Sequence, residues 1–282
     1  MAVAPRVWAR SAVHGILDLV RRGDRTILWT ENYHMGVGNH LYLWLWADLR
    51  VARGEDTVVL RRPTMDAWLP HFPDVAPLVI DRAQVGLTDR RVVDSPQRFG
   101  IDFTADELAA FVERRVRTAP AIAAVDPAEV DPDRLVVNIR RGDYYSNTKF
   151  RGAYGIDLDA YVHTAVERAA ADRRIGSIHV VSDGIDWCRA RLGWLADHAP
   201  LTFAEGETPL QNLVTVATAR RLILTNSTFS YWGAYISNVL HGDNHGGVYA
   251  PWFHVRTIEG GRAIQNDPRW TIIADIPGGW DS

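Results

Sequence analysis

From residue 135 onward, short apolar runs alternate with segments of helical period. The runs fall at 135–139, 177–181, 201–203, 222–224 and 247–250, and helical patterns at 158–171, 185–196, 209–219 and 229–240 lie between them. Strand and helix in strict alternation predict a parallel sheet wrapped on both faces. Thr208 followed by Pro209 marks one helix start, a hydroxyl cap followed by a residue whose fixed φ suits the first helical position. The first 130 residues repeat this grammar less clearly, with runs at 26–29, 57–60 and 78–80 and a long helix at 39–53 after a glycine-containing turn. The stretch 119–133, with Pro120, Pro127 and Pro132, reads as a linker. The expected fold class is therefore α/β, with an N-terminal domain at 1–130 and a C-terminal domain at 131–282. A ligand is expected in the cleft between them, at the carboxyl ends of the strands.

Composition narrows the function classes. Of the 282 residues 47% are hydrophobic and 23% charged, which describes an ordinary globular chain with ample core. The net charge of -3 offers no general attraction to nucleic acid, so any polyanion site must be a local pocket. Cys188 is the single cysteine and is expected to be buried packing. The most apolar stretch, 41–46, is soon followed by Asp48 and Arg50, so no integral membrane segment is expected; the reading is a cytoplasmic protein, compatible with a peripheral membrane position.

The candidate chemistry lies where apolar runs stop. Asn138-Ile139-Arg140-Arg141-Gly142-Asp143 places two guanidiniums at a strand end, and each can give two parallel hydrogen bonds to phosphate oxygens. Arginine pairs recur at 21, 61, 90, 114, 173 and 220, so the dipeptide alone is also compatible with a solvated surface pair. Gly142 and the strand-end setting single this one out. A second turn, Ser182-Asp183-Gly184, offers a carboxylate able to accept from the edge of a guanine, or a plain helix cap. The third, Thr225-Asn226-Ser227-Thr228-Phe229, opens a helix, where hydroxyls and free N–H groups suit an anion. In a parallel sheet all three turns open on the same edge. A fourth, Gly36-Val37-Gly38-Asn39, lies in the first half and lacks the third glycine of a dinucleotide fingerprint.

These turns and their order resemble glycosyltransferase family 11, the alpha-1,2-fucosyltransferases, whose pattern runs G-x-G-N-Q, H-x-R-R-G-D, S-D-D-x-x-W-C and N-S-S-F-S-W-W-G-A. This chain has Gly36-Val37-Gly38-Asn39-His40, Asn138 to Asp143, Ser182-Asp183-Gly184-Ile185-Asp186-Trp187-Cys188, and Asn226-Ser227-Thr228-Phe229-Ser230-Tyr231-Trp232-Gly233-Ala234. Ala250-Pro251-Trp252-Phe253 resembles the family's A-P-x-x-W-F ending. The resemblance implies a GT-B architecture of two Rossmann-like domains, a GDP-fucose donor, no metal or other cofactor, and inverting transfer to a glycan acceptor, with galactose O2 as the expected hydroxyl. It also implies that Gly36, Gly38, Asn39, Asn138, Arg140, Arg141, Ser182, Asp183, Asn226, Ser227, Thr228 and Phe229 face the donor. Three of the departures from the pattern matter for the chemistry. Asn138 stands for the usual His and carries no proton, His40 stands for Gln, and Gly184 stands for a second acidic residue.

Arg140 and Arg141 are expected to stabilise charge growing on the leaving β-phosphate. Asp143 is the first candidate for a general base, against the alternative that it is the arginines' ion-pair partner; Glu31 and His34 are further candidates. Trp44, Trp46 and Trp68 are weighed as sugar-stacking faces against core packing. Asp131-Pro132-Asp133 has the letters of a metal-binding Asp-x-Asp but precedes its strand, so it reads as a linker turn. Two other readings stay open: a non-catalytic GDP-sugar binder, and a GDP-sugar transferase with a different linkage or donor sugar.

Overall fold

The computed structural model describes residues 21–30 and 35–280, so Glu31 and His34 lie outside the described residues. Contacts divide the chain into two compact units, residues 1–96 and 97–282.

In the first unit, β1 (Thr26–Trp29) leads to α1 (Val37–Ala52), then to β2 (Thr57–Leu60), β3 (Val79–Ile80) and β4 (Arg90–Val93). All pairings are parallel, in the order β3-β2-β1-β4. Helix α1 is apolar around most of its circumference, and Leu41, Trp44 and Leu45 are fully enclosed. Trp44 is thus core and no sugar platform.

The second unit opens with α2 (Ala105–Phe111), a π-helical turn at Val112–Val116 and α3 (Pro120–Ala123). Next come β5 (Arg134–Ile139), α4 (Gly142–Ser146), α5 (Thr148–Tyr154), α6 (Leu158–Asp172), β6 (Ser177–Ser182), α7 (Ile185–Arg191) and β7 (Leu201–Phe203). The chain then runs through α8 (Pro209–Thr218), β8 (Arg221–Ile223), α9 (Thr228–His241), β9 (Val248–Pro251) and β10 (Thr271–Ile273). The six strands are parallel, in the order β10-β9-β8-β5-β6-β7. That is the doubly wound order, with the chain reversing direction across the sheet between β5 and β8, where such sheets take their ligands. The expectation of α/β organisation with two parallel sheets is met.

The boundary is not where the proline-rich stretch suggested. Residues 97–130 belong with the second unit, because their apolar groups are spent there. Phe111 packs edge-on against Trp232 at 5.8 Å between ring centres, and Phe103 against Tyr235 at 6.2 Å. The backbone N–H of Phe99 donates to the Ile264 carbonyl at 2.9 Å, and Gln265 donates to Gln97 at 3.0 Å. The domain limit moves from 130 to 96.

Two features of α9 fix its position. A Cβ on Gly233 would overlap the Val216 side chain of α8, so only glycine lets these helices approach so closely. The helix start is capped by Ser227, whose hydroxyl accepts from the Phe229 N–H at 3.3 Å. The helix expected at 185–196 ends early, at Arg191, and gives way to a 3₁₀ turn at Gly193–Asp197. Among the described residues, no helix is long and apolar enough to cross a membrane.

Burial pushes the imidazoles of His40, His179 and His254 down to about 4, with the charge of Arg134 adding to the effect at His179. Between the ordinary value of 6.5 and about 4, the unfolded chain takes up protons that the folded chain refuses. Their stabilising contribution is therefore complete above the ordinary value and is lost as pH falls through this window. Urea unfolding at pH 7 and pH 5 should show a lower midpoint at pH 5, and His179→Gln should reduce that difference.

Candidate donor-phosphate site

The register of β5 and β6 pairs Ile139 with Ser182, so the chain leaves both strands at the same level and Arg140 meets Asp183. Asp183 binds the arginine turn with both oxygens. Its Oδ1 accepts from the backbone N–H groups of Arg141 at 2.6 Å and Gly142 at 3.2 Å, while Oδ2 accepts from Arg140 Nη1 at 2.5 Å. Gly142 makes this approach possible, since a Cβ there would collide with that same Oδ2. The carboxylate weighed as a reader of a guanine edge or a plain helix cap thus accepts from three donors of the neighbouring turn while staying partly exposed, and it organises that turn.

Arg140 is held from its other side as well. Its Nη2 donates to Asp143 at 2.6 Å, and its guanidinium lies 5.3 Å from the centre of the Tyr144 ring. Of the two roles weighed for Asp143, base or ion-pair partner, the second is the arrangement present. Arg141 differs: its guanidinium lies 4.3 Å from the Tyr145 ring centre and 4.2 Å from that of Trp187. Burial pushes this guanidinium below its ordinary value, and the charge of Arg151 acts in the same direction.

The third turn joins the first through Thr225, which is wholly buried. Its hydroxyl accepts from the Arg140 N–H at 2.8 Å and donates to the Asn138 carbonyl at 3.1 Å, tying the end of β8 to the end of β5. Asn138 sits in the sheet interior, where Oδ1 accepts from the Ser230 hydroxyl at 2.6 Å and Nδ2 donates to the Val181 carbonyl at 3.3 Å. Asn226 spends its amide on the carbonyls of Tyr154 and His254, each at 2.8 Å. Asn138 and Asn226 thus hold the scaffold together, and Ser227 caps α9. Thr228, half-buried at the first position of α9, makes no hydrogen bond through its hydroxyl among the described residues. Phe229 follows it, also half-buried. Ser182 accepts from the Gly184 N–H at 2.9 Å, and beside it the Cys188 thiol is buried and pushed up to about 11 by that burial.

The fourth turn belongs to the first unit. Gly36 precedes α1 with φ -84°, and a Cβ there would meet nothing within 4 Å, so neither backbone angle nor local space demands glycine. Gly38 is buried and Asn39 half-buried in the first turn of α1.

The three turns of the second unit converge as expected. Sequence reasoning did not single out Thr225 as the link between them, nor Tyr145 and Trp187 as the faces that flank Arg141. A threonine just past a buried strand at the point of strand-order reversal was the available signal for the first.

Residues 124–241, which carry these three turns, match the family described as Glycosyl transferase family 11. Over 118 residues the chain is 30% identical to an alpha-1,2-colitosyltransferase of Escherichia coli, covering 42% of this chain and 40% of that protein. It is 29% identical over 118 residues to the galactoside alpha-(1,2)-fucosyltransferase 1 of Mus musculus, covering 40% of this chain and 30% of that protein. For the human protein of the same name the identity is 28% over 104 residues, covering 36% of this chain and 28% of that protein. The matched stretch therefore spans well under half of each of these relatives.

Replacing Thr225 by Val keeps the shape but leaves the Arg140 N–H and Asn138 carbonyl without their partner. The expected loss is about 1–3 kcal/mol of unfolding free energy, measured by urea denaturation.

Proposed function

We propose that this chain, whose residues 124–241 match glycosyltransferase family 11, is a metal-independent, inverting transferase that moves L-fucose from GDP-fucose to a glycan hydroxyl, with galactose O2 as the acceptor atom. The observation that carries this reading is the convergence of Arg140, Arg141, Asp183 and Thr225 at the point where the strand order reverses. A nucleotide diphosphate there meets two permanent cations and the N-terminus of the 14-residue α9.

In the proposed reaction the acceptor oxygen attacks the anomeric carbon from the face opposite the nucleotide. The bond from that carbon to the β-phosphate oxygen breaks, the new glycosidic bond forms, and the hydroxyl proton passes to a base or to water. Negative charge grows on the departing phosphate. Arg140 and Arg141, with the Thr228 hydroxyl, are the donors aimed at it, and they need no metal to do so. Asp143 keeps Arg140 oriented through their 2.6 Å ion pair. Asn138 acts through the scaffold, by its bonds to Ser230 and Val181, and takes no part in proton transfer.

A second donor sugar, colitose, is favoured by the similarity to the colitosyltransferase. Side-by-side assays with GDP-fucose and GDP-colitose on galactosides, in EDTA, decide between the two. With the preferred donor, Arg140→Ala should lower kcat about 10²- to 10³-fold. Activity within a few-fold of wild type would remove Arg140 from the mechanism.

A further inference from the structure

The two arginines of the turn are employed differently. Arg140 carries two carboxylates, with Asp183 on Nη1 and Asp143 on Nη2. The Arg141 guanidinium has no ion pair and no hydrogen bond among the described residues. Asp183, whose charge acts on Arg141, spends its oxygens on the Arg141 and Gly142 backbone and on Arg140. Arg141 is therefore a half-buried cation whose five guanidinium N–H donors make no hydrogen bond among the described residues and stay open to a ligand.

What holds it is aromatic. The Tyr145 ring is itself fixed, since its hydroxyl donates to the Ile156 carbonyl at 2.9 Å and accepts from the Ile156 N–H at 3.2 Å. Trp187, on α7, packs against the apolar core of the second unit. Beneath the arginine stem lies Gly184: a Cβ there would come within 2.9 Å of Arg141 Cβ and 3.4 Å of its Cδ. The missing side chain at 184 is the space through which Arg141 passes to reach Trp187.

We propose that Tyr145 and Trp187 are positioning residues that hold the Arg141 guanidinium ready for the donor's diphosphate, and that in this chain the arginine stem takes the room left by Gly184. This deepens the donor reading above and rests on it. A cation held between aromatic faces keeps its charge and its in-plane N–H groups, whereas a carboxylate would neutralise the one and occupy the other. An acid at 184 would stand directly against the arginine stem, so glycine at this position serves the arginine.

The test is calorimetric titration of the 282-residue chain with GDP, ADP and inorganic pyrophosphate in EDTA. Trp187→Leu and Gly184→Ala should each weaken GDP and pyrophosphate binding roughly five- to thirtyfold. Trp187→Phe should retain most of the affinity. Adding Trp187→Leu to Arg141→Ala should cost no more than about twofold, because the tryptophan acts only through the arginine. Gly184→Ala adds a methyl group at a partly exposed turn, so its result stands even if Trp187→Leu fails to fold. Wild-type affinity in both Trp187→Leu and Gly184→Ala, or a full further loss on the Arg141→Ala background, would overturn the proposal. If the pattern holds for pyrophosphate but wild type does not prefer GDP to ADP, the positioning role stands and the donor reading falls. If wild type binds neither GDP nor pyrophosphate, both fall together.

Discussion

One carboxylate organises the site. Asp183 lies 43 residues from Arg140 in sequence, yet its two oxygens receive the Arg140 guanidinium and the backbone N–H groups of Arg141 and Gly142. Hydrogen bonds to an ionised acceptor are the strong ones, and three on a single group fix both the path of the turn and the direction of the first arginine. The absence of a side chain at Gly142 lets the carboxylate in, and β5–β6 register delivers it. Without Asp183 the turn would keep its sequence but lose the partner that sets its geometry.

The same economy governs the other side of the turn. Thr225 closes the gap between β5 and β8 with one hydroxyl, donating and accepting at once, at the place where the strand order reverses. Asn138 is the polar residue within the buried run of β5, and both ends of its amide are answered, by Ser230 of α9 and by the β6 backbone. Helix α9 is in turn pressed on α8 through Gly233. Sheet, turn and helix are thus fastened by polar groups that are buried and paired, which rigidifies a site more than apolar packing alone.

The parallel sheet of the second unit was legible because strands buried on both faces write themselves as nearly continuous apolar runs, as at Leu135 to Val137 and, broken by His179, Ile178 to Val181. The three turns were legible for the same reason, as the polar residues that end those runs. Strand β4 was not, because Arg90 and Arg91 are exposed on a sheet edge and carry no apolar signature. Helices α4 and α5 were missed because they contain no fully buried residue. The domain limit was misplaced because the apolar side chains of Phe103 and Phe111 do not say which unit they pack against. The employment of Asp183 depended on strand register across four decades of sequence, which composition does not encode.

The paired charges of the turn have a kinetic side. The turn brings Arg140 and Arg141 together with Asp143 and Asp183, two charges of each sign with both ion pairs on Arg140, on a chain whose overall charge is -3. From a distance the four groups largely cancel, so an approaching anion feels little pull until it is within contact range. Capture by such a site depends on fit at short range and gains little from long-range steering, and its association rate varies weakly with ionic strength compared with a cleft lined by one sign of charge.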